Sequence, residues 1–240
     1  RMLFSSIRQL RSLRRIFFFM KTDCPFCLSQ RIRKIECSSL VYGNCEVCGG
    51  FFLFSRYFPS SQKSRERYEH HNNELSDPGY RNYLQNFIDT FLDFFRTDAG
   101  LRSRPASILD WGSGPVPALT TLLQEQGFEA YPYDLHYQPV LPNAAVRFEA
   151  IVCLEVAEHF LSPRDEFRRM ADFLLPSGYL VVGTHPAESM SCDFEKWWYR
   201  SDITHVSFYS EKSLEIVGAS ADLVFRGKIG QFEYVFQKKG

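Results

Sequence analysis

From about residue 106 onward, short apolar runs alternate with helical patterns, and this alternation limits the chain to an α/β architecture. Residues 107–110, 129–134, 148–154 and 179–183 read as strands, and 116–126, 163–175 and 210–220 as helices. Two later runs, 223–228 and 232–237, form a closing hairpin around Gly230. Strands separated by helices imply a mostly parallel sheet with helices on both faces. A helix precedes this region. Asp77 caps it, Pro78 suits its first turn, and Tyr80, Tyr83, Leu84, Phe87, Ile88, Phe91, Leu92 and Phe95 follow helical spacing, so that face belongs to the core. Ser162, with Asp165 three residues on, predicts a capping-box-like start for the helix at 163.

The first strand–helix turn carries chemistry. Asp110-Trp111-Gly112-Ser113-Gly114-Pro115 is strand, turn and helix start. Its glycines let backbone approach a ligand, and the helix N-terminus offers unpaired N–H groups. Asp134 ends the next strand, 20 residues beyond Gly114, where a carboxylate can accept the ribose hydroxyls of an adenosine. Pro117 occupies the third glycine position of a nicotinamide fingerprint, which disfavours a dehydrogenase. Asp110 suits a cationic amino-acid ligand and would repel a pyrophosphate. The plain alternative is a tight turn beside a solvated acid.

A second constellation follows the buried strand at 148–154, at the end where α/β sheets place ligands. In Glu155-Val156-Ala157-Glu158-His159 a helical turn would put both carboxylates and the imidazole on one face. Such a group can bind a divalent cation or serve acid–base chemistry. His205, and as its rival His185, are the late histidines that could join it. His205 could also be a general base or a packed side chain. His70 and His71 read as solvated. His136 follows Asp134 and could edge the cofactor site. Trp197-Trp198-Tyr199-Arg200 is either a stacking surface for a planar substrate or a hydrophobic lid.

Near the N-terminus, Cys24-Pro25-Phe26-Cys27 and Cys45-Glu46-Val47-Cys48 are separated by 17 residues. The spacing is a zinc signature, and four thiolates leave no open coordination position, so Cys24, Cys27, Cys45 and Cys48 form a structural site. Redox pairs or idle thiols are the alternatives. Cys37, Cys153 and Cys192 are read as spare or packed. An odd total of seven cysteines fits a reducing compartment, hence the cytoplasm, better than a disulfide framework.

These motifs resemble two known families. Residues 20–58 resemble a zinc ribbon. Residues 80–240, through Asp110, Gly112, Gly114 and Asp134, resemble the class I S-adenosylmethionine-dependent methyltransferases. The resemblance implies a Rossmann-like seven-stranded sheet with a reversed last hairpin. Cofactor would lie over the glycine turn, with Asp134 on its ribose and Leu154 and Glu155 as further contacts. Val116 stands where the family often has a third glycine, and the short interval from Asp134 to Phe148 implies that one strand–helix unit is reduced or lost. The Glu-x-x-Glu-His run is similar to ubiquinone-pathway O-methyltransferases and to small-RNA 2′-O-methyltransferases. The latter bind metal through this run and a later histidine, whose best match is His205. Many other methyltransferases carry Glu-His here without a metal.

The chain is therefore expected to divide into a basic segment at 1–19, a zinc-ribbon-like domain at 20–58, a polar linker at 59–78 and a methyltransferase domain at 79–240. His159, His205 and Glu158 are the expected catalytic residues. S-adenosylmethionine and structural Zn2+ are the expected cofactors, with a second divalent cation at Glu155, Glu158 and His159. No N/D-P-P-Y/F motif follows the buried strand, which favours an oxygen or carbon acceptor. That acceptor is expected to be a small molecule, with an RNA end as the alternative. A rival reading is a catalytically inactive methyltransferase-like protein acting through its zinc module.

Composition narrows the classes further. Apolar residues make up 45% of the 240 and phenylalanine contributes 23, ample for a core and incompatible with wholesale disorder. No run approaches the roughly 18 apolar residues of a membrane-spanning helix. Basic and acidic residues number 28 each, yet five arginines and no acid fall in residues 1–19, so the rest is net acidic, a poor match to non-specific DNA binding. The basic segment could be a targeting peptide, an amphipathic surface helix or a stretch outside the native fold. The last is favoured because Met20 would be a natural start just before the first motif.

Overall fold

The computed structural model describes residues 23–69, 74–97, 105–140, 145–190 and 192–240. The basic segment at 1–19 and the histidines at 70 and 71 lie outside the described residues. Two sheets organise the rest. The larger comprises β4 (Ser107–Trp111), β5 (Glu129–Tyr133), β6 (Phe148–Leu154), β7 (Leu174–Gly183), β9 (Leu223–Lys228) and β10 (Glu233–Lys238) in the spatial order β5-β4-β6-β7-β10-β9. The first four pair in parallel, whereas β10 inserts antiparallel between β7 and β9. The reversed hairpin is as expected. Among the described residues the sheet has six strands, and β5 is its edge. Among the described residues between Asp134 and Phe148 there is no strand beyond it.

Period-two alternation divides the core. Ile108, Ala150, Val152, Val181 and Val235 face α2 (Pro78–Thr97) and α3 (Ala118–Glu125), where Phe87, Ile88, Phe91 and Phe95 form the buried stripe. Leu109, Ile151, Cys153, Val182 and Phe236 face the opposite way, against α4 (Pro163–Phe173) and α5 (Glu211–Ala219). Each fully buried Phe on α2 contributes about 1.5–3 kcal/mol, so the stripe alone explains why this segment is helical and docked. Asp77 caps α2 as expected, its Oδ1 accepting from Gly79 N at 2.7 Å and Tyr80 N at 3.1 Å. The capping box at Ser162 does not form. The Ser162 side chain makes no cap bond, and its carbonyl instead accepts from Asp165 N at 3.0 Å and Glu166 N at 3.1 Å. A capping box forms at Ser210, with Ser213 as its reciprocal partner.

The N-terminal cysteine segment is built into this body. Strands β1 (Ile32–Cys37), β2 (Leu40–Cys45) and β3 (Phe51–Leu53) form an antiparallel meander. The fourth strand of that sheet, β8 (Ser207–Phe208), comes from the far end of the chain and pairs with β3. Cys24, Phe26, Cys45, Cys48 and Phe52 share one apolar cluster with Phe167, Tyr209 and Leu214. Within residues 59–78, α1 (Ser61–Tyr68) is helical and capped by Ser60. None of the described helices is long and apolar enough to cross a membrane.

Candidate active site

The C-terminal ends of β4, β5 and β6 open into one cavity of about 830 Å³. On one side stands the glycine turn. Gly112 has φ +86°, and its N–H donates to the Tyr133 carbonyl at 2.7 Å. A Cβ there would come within 2.4 Å of Val156. Gly114 has φ +70°, and a Cβ there would project into open space on the cavity wall. The turn is thus shaped by glycine twice, once for internal packing and once for a bare surface facing the cavity.

Asp134 holds this turn. Its Oδ2 accepts from Gly114 N at 3.1 Å, while Oδ1 accepts from His136 N at 2.8 Å and Tyr137 N at 3.2 Å. Asp110 is placed differently from its neighbours in the motif. It does not line the cavity but lies buried beneath α3, where Oδ2 accepts from Thr120 N at 3.2 Å and Thr120 Oγ1 at 2.8 Å. Burial pushes its carboxyl up to about 6, against the pull of the two Thr120 bonds.

Opposite the glycine turn, β6 ends at Leu154, and Leu154 and the following Glu155 both line the cavity. Glu155 adopts φ +52° and Ala157–His159 form a single 3-10 turn. This turn and the segment at 202–205 bring Glu158, His159 and His205 together, their candidate ligand atoms lying within 4.8 Å of one another. Glu158 Oε1 is 3.8 Å from His159 Nε2 and 3.9 Å from His205 Nε2. His159 Nδ1 lies 3.1 Å from the Thr204 carbonyl and His205 Nδ1 2.6 Å from the Tyr199 carbonyl. A carbonyl only accepts, so each Nδ1 carries the hydrogen and each Nε2 keeps a lone pair, on the side of the ring near Glu158. This is a two-histidine, one-carboxylate donor set of the kind that binds divalent cations.

Glu155 is not part of that cluster, contrary to the expected ligand set of Glu155, Glu158 and His159. It accepts instead from the Tyr199 hydroxyl at 3.4 Å. The Tyr199 hydroxyl also lies 3.1 Å from Thr184 Oγ1, which donates to Glu158 Oε2 at 3.1 Å. The half-buried Glu155 carboxyl and the buried Glu158 carboxyl thus flank a pair of neighbouring hydroxyls. Burial pushes Glu155 up to about 7; burial and the nearby Glu155 charge push Glu158 well up. His185, the rival late histidine, packs against Trp198, Tyr199 and Phe232 instead, and burial lowers it.

Several wall residues escaped the sequence reading. Tyr68 and Arg67 reach the cavity from α1, inside the segment read as linker. The Tyr68 ring lies 5.2 Å from His159 and 6.1 Å from His136, bridging the two sides. Arg67 pairs with Asp202 at 2.8 Å. Burial works against the Asp202 charge, but the Thr204 bonds, His205 and Arg67 hold the carboxyl down at about 2. Tyr80 and Tyr83 turn from α2 into the cavity, so that helix serves the site as well as the core. In the aromatic run, Trp197 is buried, Trp198 stands exposed on the wall and Tyr199 is the hydroxyl just described. Ser60 followed by a charged helical stretch ending in Tyr68 was the available signal for α1.

The four cysteine sulfurs also lie within 4.8 Å of one another. Cys24 Sγ is 3.6 Å from Cys48 Sγ, and Cys27 Sγ is 3.5 Å from Cys45 Sγ. These separations are far from the roughly 2.05 Å of a disulfide. They approach the edge of about 3.8 Å of a tetrahedron with Zn–S bonds of about 2.3 Å, so the residues fit a structural zinc.

A family model described as a methyltransferase domain matches residues 80–224. Curated protein sequences return no match. Among solved structures, the chain is similar to NcsB1, an O-methyltransferase from neocarzinostatin biosynthesis in complex with S-adenosyl-L-homocysteine and 1,4-dihydroxy-2-naphthoic acid. The identity is 17% and the TM-score 0.45, over 69% of this chain and 60% of that one, so the match spans less than two thirds of NcsB1. The N-methyltransferase NodS from Bradyrhizobium japonicum aligns at 15% identity and TM-score 0.46, over 74% of this chain and 98% of its own. The 1,6-didemethyltoxoflavin-N1-methyltransferase of Burkholderia thailandensis aligns at 13% identity and TM-score 0.45, over 88% of this chain and 100% of its own.

Proposed function

Because the chain belongs to the methyltransferase-domain family, we propose that it is an S-adenosylmethionine-dependent methyltransferase whose acceptor is a small molecule methylated at oxygen or carbon. The observation that carries this reading is the convergence on one cavity of the glycine turn with Asp134 and of the Glu158, His159 and His205 cluster. When bound, the cofactor supplies a methyl group on a sulfonium, a leaving group already activated.

The chain's own residues then have to bind, align and take up a proton. Gly112 and Gly114 keep the turn low enough for close approach. Asp134 has about one lone-pair site left on Oδ2 once its three backbone bonds are counted, enough for a ribose hydroxyl. Leu154 and Glu155 flank the cofactor from the end of β6. On the acceptor side, His159 or His205 takes the proton of an acceptor hydroxyl at Nε2, each ring held in orientation by its Nδ1 bond. Glu158 lies beside both rings, 3.8 Å and 3.9 Å from their Nε2 atoms. A divalent cation held by Glu158, His159 and His205 would act as a Lewis acid on the acceptor oxygen. Tyr68, Trp198 and Tyr80 give planar walls on which an aromatic acceptor can stack. Alignment of the two reactants is worth about 7–11 kcal/mol of the barrier. Cys24, Cys27, Cys45 and Cys48 would hold structural Zn2+, and thiolates persist in a reducing compartment such as the cytoplasm.

The test is calorimetric titration of S-adenosylmethionine into the zinc-replete protein, followed by incubation with methyl-labelled cofactor and a panel of phenols, sugars and RNA ends. Micromolar binding with label transfer to a hydroxyl or carbon supports the reading. No binding by folded protein refutes it. Binding without transfer to any acceptor class favours an inactive protein working through its zinc module.

A further inference from the structure

We propose that the four-cysteine module is a working part of the acceptor half of the active site, its third strand and knuckles positioning the turns that carry Glu158, His159 and His205; the proposal rests on the methyltransferase reading for what those turns do. Three separate links run from the cysteine knuckles to these turns.

The first is the sheet. The second knuckle is closed by Gly49 N donating to the Cys45 carbonyl at 2.8 Å and by Cys45 N donating to the Gly50 carbonyl at 2.9 Å. It leads directly into β3, which pairs Phe51 with Phe208 and Phe52 with Ser207. The Leu53 N–H donates to the Val206 carbonyl at 2.8 Å, one residue from His205. The second link is the Cys48 carbonyl itself, which accepts the Ser210 hydroxyl just beyond β8. The third starts at Phe26, between the first two cysteines. Fully buried, it packs 5.0 Å from the Tyr209 ring, and the Tyr209 hydroxyl donates to the Ala157 carbonyl at 2.9 Å, next to Glu158.

The segment so held in turn clamps the turn carrying Glu158 and His159. Val206 N donates to the Glu158 carbonyl at 2.9 Å, and Ser207 Oγ to the Phe160 carbonyl at 2.8 Å. The glycine turn and Asp134 have hydrogen bonds of their own. Gly112, Ser113, Gly114 and Asp134 are tied to one another and to Tyr133 across β4 and β5. A strand of three residues on a segment this small needs a cross-link to keep its place. With the metal of the four cysteines gone, β3 loses its anchor, β8 loses its partner, and the acceptor turns relax while the cofactor turn stays.

The experiment uses the whole 240-residue chain loaded with zinc and two readouts, neither of which needs an identified acceptor. One is the cofactor dissociation constant by calorimetry. The other is the imidazole 15N spectrum, with His159 and His205 assigned through His159→Asn and His205→Asn. Zinc is withdrawn with a chelator under reducing conditions. Chelation could unfold more than the module, so Ser210→Ala and Tyr209→Phe cut two of the links with zinc retained, verified by native mass spectrometry. The expected result is displaced or broadened His159 and His205 resonances in the stripped protein and in both variants. Cofactor affinity should meanwhile stay within about 2-fold, because the backbone of the glycine turn and Asp134 is bonded to β4 and β5 and not to β3 or β8. Unchanged histidine resonances after zinc loss overturn the proposal, as do variants in which cofactor affinity falls in step with the histidine changes. A zinc-loaded protein that binds no cofactor refutes the methyltransferase reading instead, and the histidine spectra still decide the coupling.

Discussion

Replacing Asp134 separates a cofactor anchor from a mere turn brace. The carboxylate accepts three backbone N–H bonds, two at Oδ1 and one at Oδ2, and keeps about one lone-pair site on Oδ2 facing the cavity. Asp134→Asn can preserve the Oδ1 pair to His136 and Tyr137, but it presents an NH2 group where Gly114 N–H and a ribose hydroxyl need an acceptor. The lost ribose bond is a charge-assisted one worth roughly 1.5–3 kcal/mol. Cofactor affinity should therefore fall about 10- to 100-fold, since each 1.4 kcal/mol is a factor of ten. Asp134→Ala should lose at least as much affinity, and stability as well, because three N–H groups at a half-buried turn lose their acceptor at once. Its cost to folding should be about 1–3 kcal/mol, read by denaturant titration. Calorimetry at a temperature where both variants are folded gives the affinities. If Asp134→Asn binds S-adenosylmethionine as the parent does, Asp134 is only a brace, and the ribose assignment is wrong.

The two glycines should respond differently. Gly114→Ala meets no atom and costs folding about 1–2 kcal/mol for a left-handed alanine, yet its methyl intrudes on the cofactor surface and should abolish detectable binding. Gly112→Ala strikes Val156 as well, so thermal unfolding should show a clearly larger loss of stability. Tyr199→Phe removes the hydroxyl between Glu155 and Thr184, and should lower stability by about 1–2 kcal/mol and slow turnover with little change in cofactor affinity. Asp110 makes a pH prediction. Its folded value near 6 lies above the unfolded 3.8, so the folded state keeps a proton that the unfolded state has released. The associated stability is full below about pH 4 and lost as pH rises through 6, on the order of 3 kcal/mol in all. Asp110→Asn should flatten that part of the stability profile between pH 4 and 7, measured against the parent protein in urea. An unchanged profile would refute the burial argument.

Most of the large sheet was legible in the sequence because its signals are local. The runs at 148–154 and 223–228 recur as β6 and β9 to the residue, and the glycine turn sits where strand and helix patterns meet. Asp77 caps its helix because the carboxylate needs only the next turn of chain. Misreadings fell where local pattern gave no direction. Ser162 and Asp165 have the residues of a capping box, but Pro163 fixes the first turn, and the Ser162 carbonyl takes the two N–H groups instead. Tyr80 and Tyr83 fit the helical stripe of α2 as well as the phenylalanines do, and spacing alone cannot say that the sheet ends beneath them.

The side of the cavity that holds Glu158, His159 and His205 shows the same limit more sharply. The glycine turn and Asp134 meet across 20 residues of chain and two adjacent strands, a relation the strand–helix pattern already encodes. His159 meets the Thr204 carbonyl across 45 residues, and Tyr199 reaches Glu155 across 44. The Ser210 hydroxyl reaches Cys48 across 162. Such contacts depend on how two sheets are joined, and the joint is the pairing of β3 with the two-residue strand β8, too short to carry any periodic signal. The cysteine spacing announced a four-cysteine cluster but gave no hint of its neighbour. Once β8 is placed, His205 is preferred over His185 for a physical reason. His205 lies one residue before the Val206 link to both Leu53 and Glu158, whereas His185 is packed among Trp198, Tyr199 and Phe232. The histidine that completes the cluster with Glu158 and His159 is thus selected by the strand that attaches the four-cysteine module.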